Sequence, residues 1–140
     1  MSSLSAFFAQ NKVKTPNVKY VASKSFVDAD KNPIEWELRK LESTETEAMK
    51  RSCRRKVKVG NNYETEQDMD LFSLKTAAAA VVFPDLNNAE LQDSYGVMGA
   101  ENLLKRMLSP GELQKLYIKV GELCDFGNEE ESELYEDAKN

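Results

Sequence analysis

Apolar positions recur along this chain with two different periods, and the change of period marks out the elements. From Val18 to Val27 the period is two: Val18, Tyr20 and Ala22 alternate with Lys19, Val21 and Ser23. The same alternation sets Ile34, Trp36 and Leu38 against Glu35, Glu37 and Arg39. Between the two runs, Asp28-Ala29-Asp30-Lys31-Asn32-Pro33 is rich in turn-forming residues. The pattern predicts a β-hairpin whose apolar face carries Ile34, Trp36 and Leu38. Two strands alone are marginal in water, so that face must pack on helices or on a partner.

Elsewhere the spacing is helical. A short helix over Ser3 to Gln10 would be capped by Ser3 or Ser5 and would dock Phe7 and Phe8 on the body. Ser43-Thr44-Glu45-Thr46-Glu47 opens a helix with a Thr44–Glu47 capping box. It is predicted to run to about Arg55, ending in cations that suit the negative helix end. Val57 to Val59 reads as a short extended piece, followed by a Gly60-Asn61-Asn62 loop. Glu66 to Val82 is the most apolar helix candidate; four consecutive alanines, Ala77 to Ala80, let a neighbouring backbone approach, and Pro84 stops it.

Three further helical segments follow with clear punctuation. Asp85 to Asn88 turn the chain before AELQDSY, Gly96 and Gly99 bracket a second break, and Gly96 to Leu108 forms the next segment. Ser109-Pro110-Gly111-Glu112 combines an N-cap serine, a proline at the first helical position and a glutamate at N3. The helix it opens runs to about Phe126, with Leu113, Leu116, Tyr117, Val120, Leu123 and Cys124 on one stripe and Ile118 off it. The expected fold is α+β: one mostly helical domain over residues 1–127, with about five helices and one β-hairpin in the N-terminal half. Residues 128–140 form an acidic tail.

With 41% hydrophobic and 31% charged residues, the 140-residue chain suits a water-soluble globule. Its net charge of −5 opposes general nucleic-acid binding. No apolar run is long enough to span a bilayer, and the start MSSLSAFFAQNK lacks a basic leader, which points to the cytoplasm. There is no histidine, which removes histidine-dependent acid–base chemistry. Cys53 and Cys124 are expected to be reduced and at least half-buried.

Candidate chemistry is thin. Asp28, Asp30 and Asn32 place oxygens as a calcium loop would, but Pro33 stands where that loop needs glycine and Arg39 where it needs glutamate. A hairpin turn accounts for these residues. Carboxylates are plentiful without a catalytic context, and Gly96-Val97-Met98-Gly99 is too short for a phosphate loop. No catalytic, cofactor-binding or metal-binding residue is assigned, and no enzyme is expected.

The basic run Lys50, Arg51, Arg54, Arg55, Lys56 and Lys58 could serve nucleic acid, but few aromatics interleave it. The alternative is self-association, with Arg51, Arg54, Arg55 and Lys56 meeting the acidic tail (Glu129, Glu130, Glu131) of the same or a neighbouring copy. Between copies, that would favour head-to-tail association. Met98 and Met107, with Leu103, Leu104 and Leu108, read first as core, yet a methionine- and leucine-lined helix can also re-pack around varied apolar clients. Together with Ile118 they are the candidate partner-binding residues.

The runs VKYVASKSFVD, PIEWELRKL and AELQDSYGVMGAENLLKRMLSPGE resemble the XkdN-like tail assembly chaperones of tailed phages and prophage-like elements. The resemblance extends from about Leu4 to Leu123 and rests on word-like runs, which carry no active site. It implies a small cytoplasmic protein that binds the tape measure protein and keeps it soluble while the tail tube assembles. It also implies contact with the tail tube protein as a further possibility, and absence from the mature particle. The family tends to be made also in a longer, frameshifted form. Two other readings compete: a tail or baseplate component that stays in the particle, and a nucleic-acid-binding regulator using Lys50 to Lys58.

Overall fold

A computed structural model describes residues 3–126. The expected α+β class holds. Strand β1 (Val18–Tyr20) pairs antiparallel with β2 (Trp36–Leu38), Val18 opposite Leu38 and Tyr20 opposite Trp36. Helix α1 (Ser43–Ser52), strands β3 (Arg54–Val59) and β4 (Asn62–Gln67), helix α2 (Met69–Ala80) and strand β5 (Val81–Phe83) follow. Helices α3 (Ala89–Ser94), α4 (Ala100–Met107) and α5 (Pro110–Leu123) complete the described chain. The expected acidic tail over 128–140 lies outside the described residues.

The β1–β2 hairpin gains a third strand. β5 pairs antiparallel with the far edge of β2, giving the order β1-β2-β5, and Arg39 N–H donates to Ala80 O at 2.8 Å. The helix predicted over Glu66 to Val82 is therefore shorter at both ends. Asp68 caps it, its carboxylate accepting from Leu71 N–H, while Val81 leaves helical geometry with ψ 113°. β-branched Val81 and Val82 suit a pleated strand better than a helix end.

The second departure is larger. The helix predicted to reach Arg55 stops at Ser52, and Arg54 begins a second hairpin with six paired positions in each strand. Gly60 makes its turn at φ 64°, the glycine-first geometry of a two-residue type II′ hairpin. Almost every residue of β3 and β4 is exposed, and the pair packs chiefly on itself.

The core lies between the three-stranded sheet and the helices. Trp36 and Leu38 from β2 meet Leu74, Ala77, Ala78 and Ala80 from α2, Leu103 and Leu104 from α4, and Leu116 and Val120 from α5. The alanine run permits the expected close packing: α2 touches α1, α4 and α5, which larger side chains would hold apart. The α5 capping box is complete, Ser109 Oγ accepting from Glu112 N–H and Glu112 Oε1 from Ser109 N–H. Cys53 is buried and Cys124 half-buried, both as free thiols.

The N-terminal helix does not form. Ser5–Phe7 and Ala9–Asn11 are single 3₁₀ turns, and Phe7 is 85% exposed, not docked. One turn apiece cannot meet the cost of helix nucleation, and no packed face repays it.

Candidate protein-docking site

A cleft of about 360 Å³ opens where the end of the sheet meets α3 and α4. β2 supplies Trp36, and Ile34 lies just before it. Phe26 sets its ring 6.5 Å from that of Trp36, tilted by 47°. β5, the neighbour of β2, ends on Phe83, and Phe83 and Pro84, joined by a cis peptide, also line the cleft. Leu91, Ser94 and Tyr95 come from α3, and Met107 from the end of α4.

Local hydrogen bonds hold this wall in place. Asp85 Oδ1 accepts from Asn87 N–H at 3.0 Å, and Asn88 Oδ1 caps α3 by accepting from Leu91 N–H at 2.9 Å. Gln92 is the tie between the two helices: its side-chain amide donates to Leu86 O at 2.8 Å, and its Oε1 accepts from Gly99 N–H at 3.1 Å. Gly96 and Gly99 stand at φ 67° and 92°, in the left-handed region that a β-carbon disfavours. The corner is therefore built, and it fixes where Leu91, Tyr95 and Met107 stand.

The cleft lining has no carboxylate, amine, guanidinium or thiol, and its side-chain polar groups are the hydroxyls of Ser94 and Tyr95 and the indole N–H of Trp36. Such a surface can bury apolar side chains, with three polar groups to orient them. Its rim extends onto β5, where Val82 and Phe83 are exposed, Phe83 by 53%. β5 is also an edge strand, with one side unpaired. A larger, shallower trough of about 550 Å³ lies over α1, α2 and α4. Its floor is Ala48, Ala78, Ala79 and Ala100, and its rim includes Lys75, Glu101 and the Arg39–Glu45 ion pair. Met49 is its one large apolar side chain, and charged groups stand around it, so it offers no aromatic anchor site.

The six candidate partner-binding residues separate. Met98 is 85% and Ile118 54% exposed, while Met107 is half-buried and lines the cleft. Leu103, Leu104 and Leu108 are buried in the core and cannot face a client in this structure. The α4 stripe points inward against α2 and α5, so the core reading wins for those three. Phe26, Leu91, Phe83 and Tyr95 were not predicted as site residues. They share no sequence signal, because they come from separate segments that only the fold brings together.

Arg51 lies in the last turn of α1, whereas Arg54, Arg55 and Lys56 belong to β3. Arg55 is taken by Glu66 at 3.6 Å, with Asp68 at 3.9 Å. Glu129, Glu130 and Glu131 lie outside the described residues. The turn reading of Asp28 holds: its Oδ1 accepts from Asp30 and Asn32 N–H, at 2.9 and 3.0 Å. Among the described residues no acidic or cysteine cluster could hold a metal ion, and no helix is long and apolar enough to cross a membrane.

The family profile described as phage XkdN-like tail assembly chaperone protein matches residues 4–139. The chain belongs to this family. It is 27% identical over 139 residues to the phage-like element PBSX protein XkdN of Bacillus subtilis strain 168, spanning 98% of this chain and 93% of that one. The fold resembles the crystal structure of the protein YqbN with a TM-score of 0.75 at 22% identity, covering 90% of this chain and 98% of the other. Family membership makes the chain a tail assembly chaperone, with protein partners in tail assembly.

Proposed function

We propose that the chain binds the tape measure protein through the cleft between β5, α3 and α4, and keeps it soluble until the tail tube encloses it. The observation that supports this most is the cleft itself: aromatic and methionine walls, no carboxylate, amine or guanidinium in the lining, and an exposed Phe83 at its rim. An amphipathic helix presenting two or three large apolar side chains on one stripe is the ligand such a groove fits. Met107 and Tyr95 let it accept varied side chains, which a long client with many similar stripes requires.

Burial of one or two leucine-sized side chains supplies roughly 1.5–3 kcal/mol each, so a single contact is weak. Many copies along one client still suppress its free, aggregation-prone state by mass action. Weak contacts are also easily shed as tail tube subunits take over the same stripes. On this reading the protein acts in the cytoplasm of the bacterial host, uses no nucleotide, performs no catalysis and leaves before the particle is complete.

Co-expression with the tape measure protein of the same phage element tests the proposal. The wild-type chain should raise the client's soluble yield and co-purify with it. Phe83→Thr should retain the fold, because Phe83 is an exposed edge residue and threonine suits a strand, but lose at least about tenfold in client capture. Equal capture by both chains would show that the cleft is not the site. Abundant peptides of this chain in purified particles would instead favour a component that stays.

A further inference from the structure

The β3–β4 hairpin divides its charges unevenly between its two faces. Paired positions share a face, so Arg55 and Val57 stand with Glu66 and Glu64 on one side. The other side carries Arg54, Lys56 and Lys58 opposite Gln67, Thr65 and Tyr63. That second face has three cations in a row and no acid. None of the three takes part in an ion pair within 4 Å among the described residues, in contrast to Arg55 on the other face.

The acids that would match them lie in the sequence after Phe126. Residues 127–140 hold six acids (Glu129, Glu130, Glu131, Glu133, Glu136 and Asp137) and one base, Lys139. That is a charge of −5, the whole net charge of the chain, so residues 1–126 are neutral. The described chain also ends in a telling place. The Phe126 ring meets the Phe72 ring edge-on at 6.3 Å between centroids, and Lys50 Nζ lies 5.8 Å over that same Phe72 ring. Lys50 O in turn accepts from the Gln67 side chain at 2.9 Å, and Asp68 N–H donates to Cys53 O at 2.8 Å. Phe126 therefore sits at the root of the hairpin, where β3 begins and β4 ends.

We propose that the acidic segment 127–140 docks on the Arg54–Lys56–Lys58 face of the hairpin of its own chain. Reach is ample: fourteen residues extend up to about 45 Å, whereas a six-residue strand is about 20 Å long. The same-chain choice follows from where Phe126 ends, because a tether starting at the hairpin root gives the acids a high effective concentration there. The contact braces a two-stranded element that is otherwise marginal, and covers a cationic face that would attract polyanions in a cell. It is independent of the client cleft.

Hydrogen exchange and amide chemical shifts of the full-length chain test this. In a variant with Glu129, Glu130, Glu131 and Glu133 all changed to Gln, exchange of the β3 and β4 amides should speed up by roughly tenfold, with α5 unaffected. Lys56→Gln with Lys58→Gln should move the signals of residues 129–133, and high salt should abolish both effects. The wild-type shifts should not change on dilution. Hairpin amides indifferent to the tail substitutions would overturn the proposal. So would a tail effect that fades on dilution, since that would place the segment on a second copy.

Discussion

Leu104 and Ile118 stand fourteen positions apart in sequence and do opposite work. Leu104 is fully buried between α2 and α5, so Leu104→Ala leaves a cavity that costs roughly 2–5 kcal/mol. Ile118 is more than half exposed, and Ile118→Ser should change stability by no more than about 0.5 kcal/mol. Urea unfolding of the two variants separates core from surface directly. At Ser109 the capping box is complete, and Ser109→Ala should cost roughly 0.5–2 kcal/mol by the same measurement.

Acid sensitivity belongs to this scale too. The Glu112 carboxyl is held below its usual pKa by the Ser109 N–H and then by the Ser23 side chain. Glu37 is lowered by hydrogen bonds from Lys19 and then Asn17. A carboxyl with a lowered folded pKa stabilises the fold fully above its unfolded value, near about 4.3, and loses that contribution as pH falls through the folded one. The unfolding midpoint should therefore decline below that value, and Glu112→Gln should flatten the decline. Both carboxyls are only partly covered and so screened by solvent, which keeps the effect small.

Among elements, those that bury a patterned face were legible and the others were not. The α5 helix announced itself through Ser109-Pro110-Gly111-Glu112 and a stripe that does pack inward, with Leu116 and Val120 buried. The β1–β2 pairing followed from Trp36 and Leu38, both now in the core. The β3–β4 hairpin buries almost nothing, so Arg54 to Gln67 carries only a faint period, Val57 and Val59 beside Lys56 and Lys58, which marks a short extended piece before the turn at Gly60 but not the six-residue pairing. The cleft was invisible for a different reason. Its walls come from Phe26, Phe83, Leu91 and Met107, which only the tertiary fold brings together, and α4 spends Leu103 and Leu104 on the core instead. Gly60→Val should test the hairpin: a β-branched residue at φ 64° is strained, and exchange of the β3 and β4 amides should rise while the core helices stay protected.

At the scale of the whole molecule, a neutral body carries an acidic end, an apolar cleft and an exposed strand edge. That layout suits a protein whose work is to occupy another chain's surface temporarily. The cleft supplies weak, repeated apolar contact, and the charge keeps chaperone-covered clients apart. The most direct measurement is the soluble fraction of the tape measure protein co-expressed with the wild-type chain or with Phe83→Thr. A soluble, co-purifying client is expected with the wild type and an insoluble one with the variant, while both chaperones keep the same folded circular dichroism spectrum. A client equally soluble with either chain, or with neither, would contradict it.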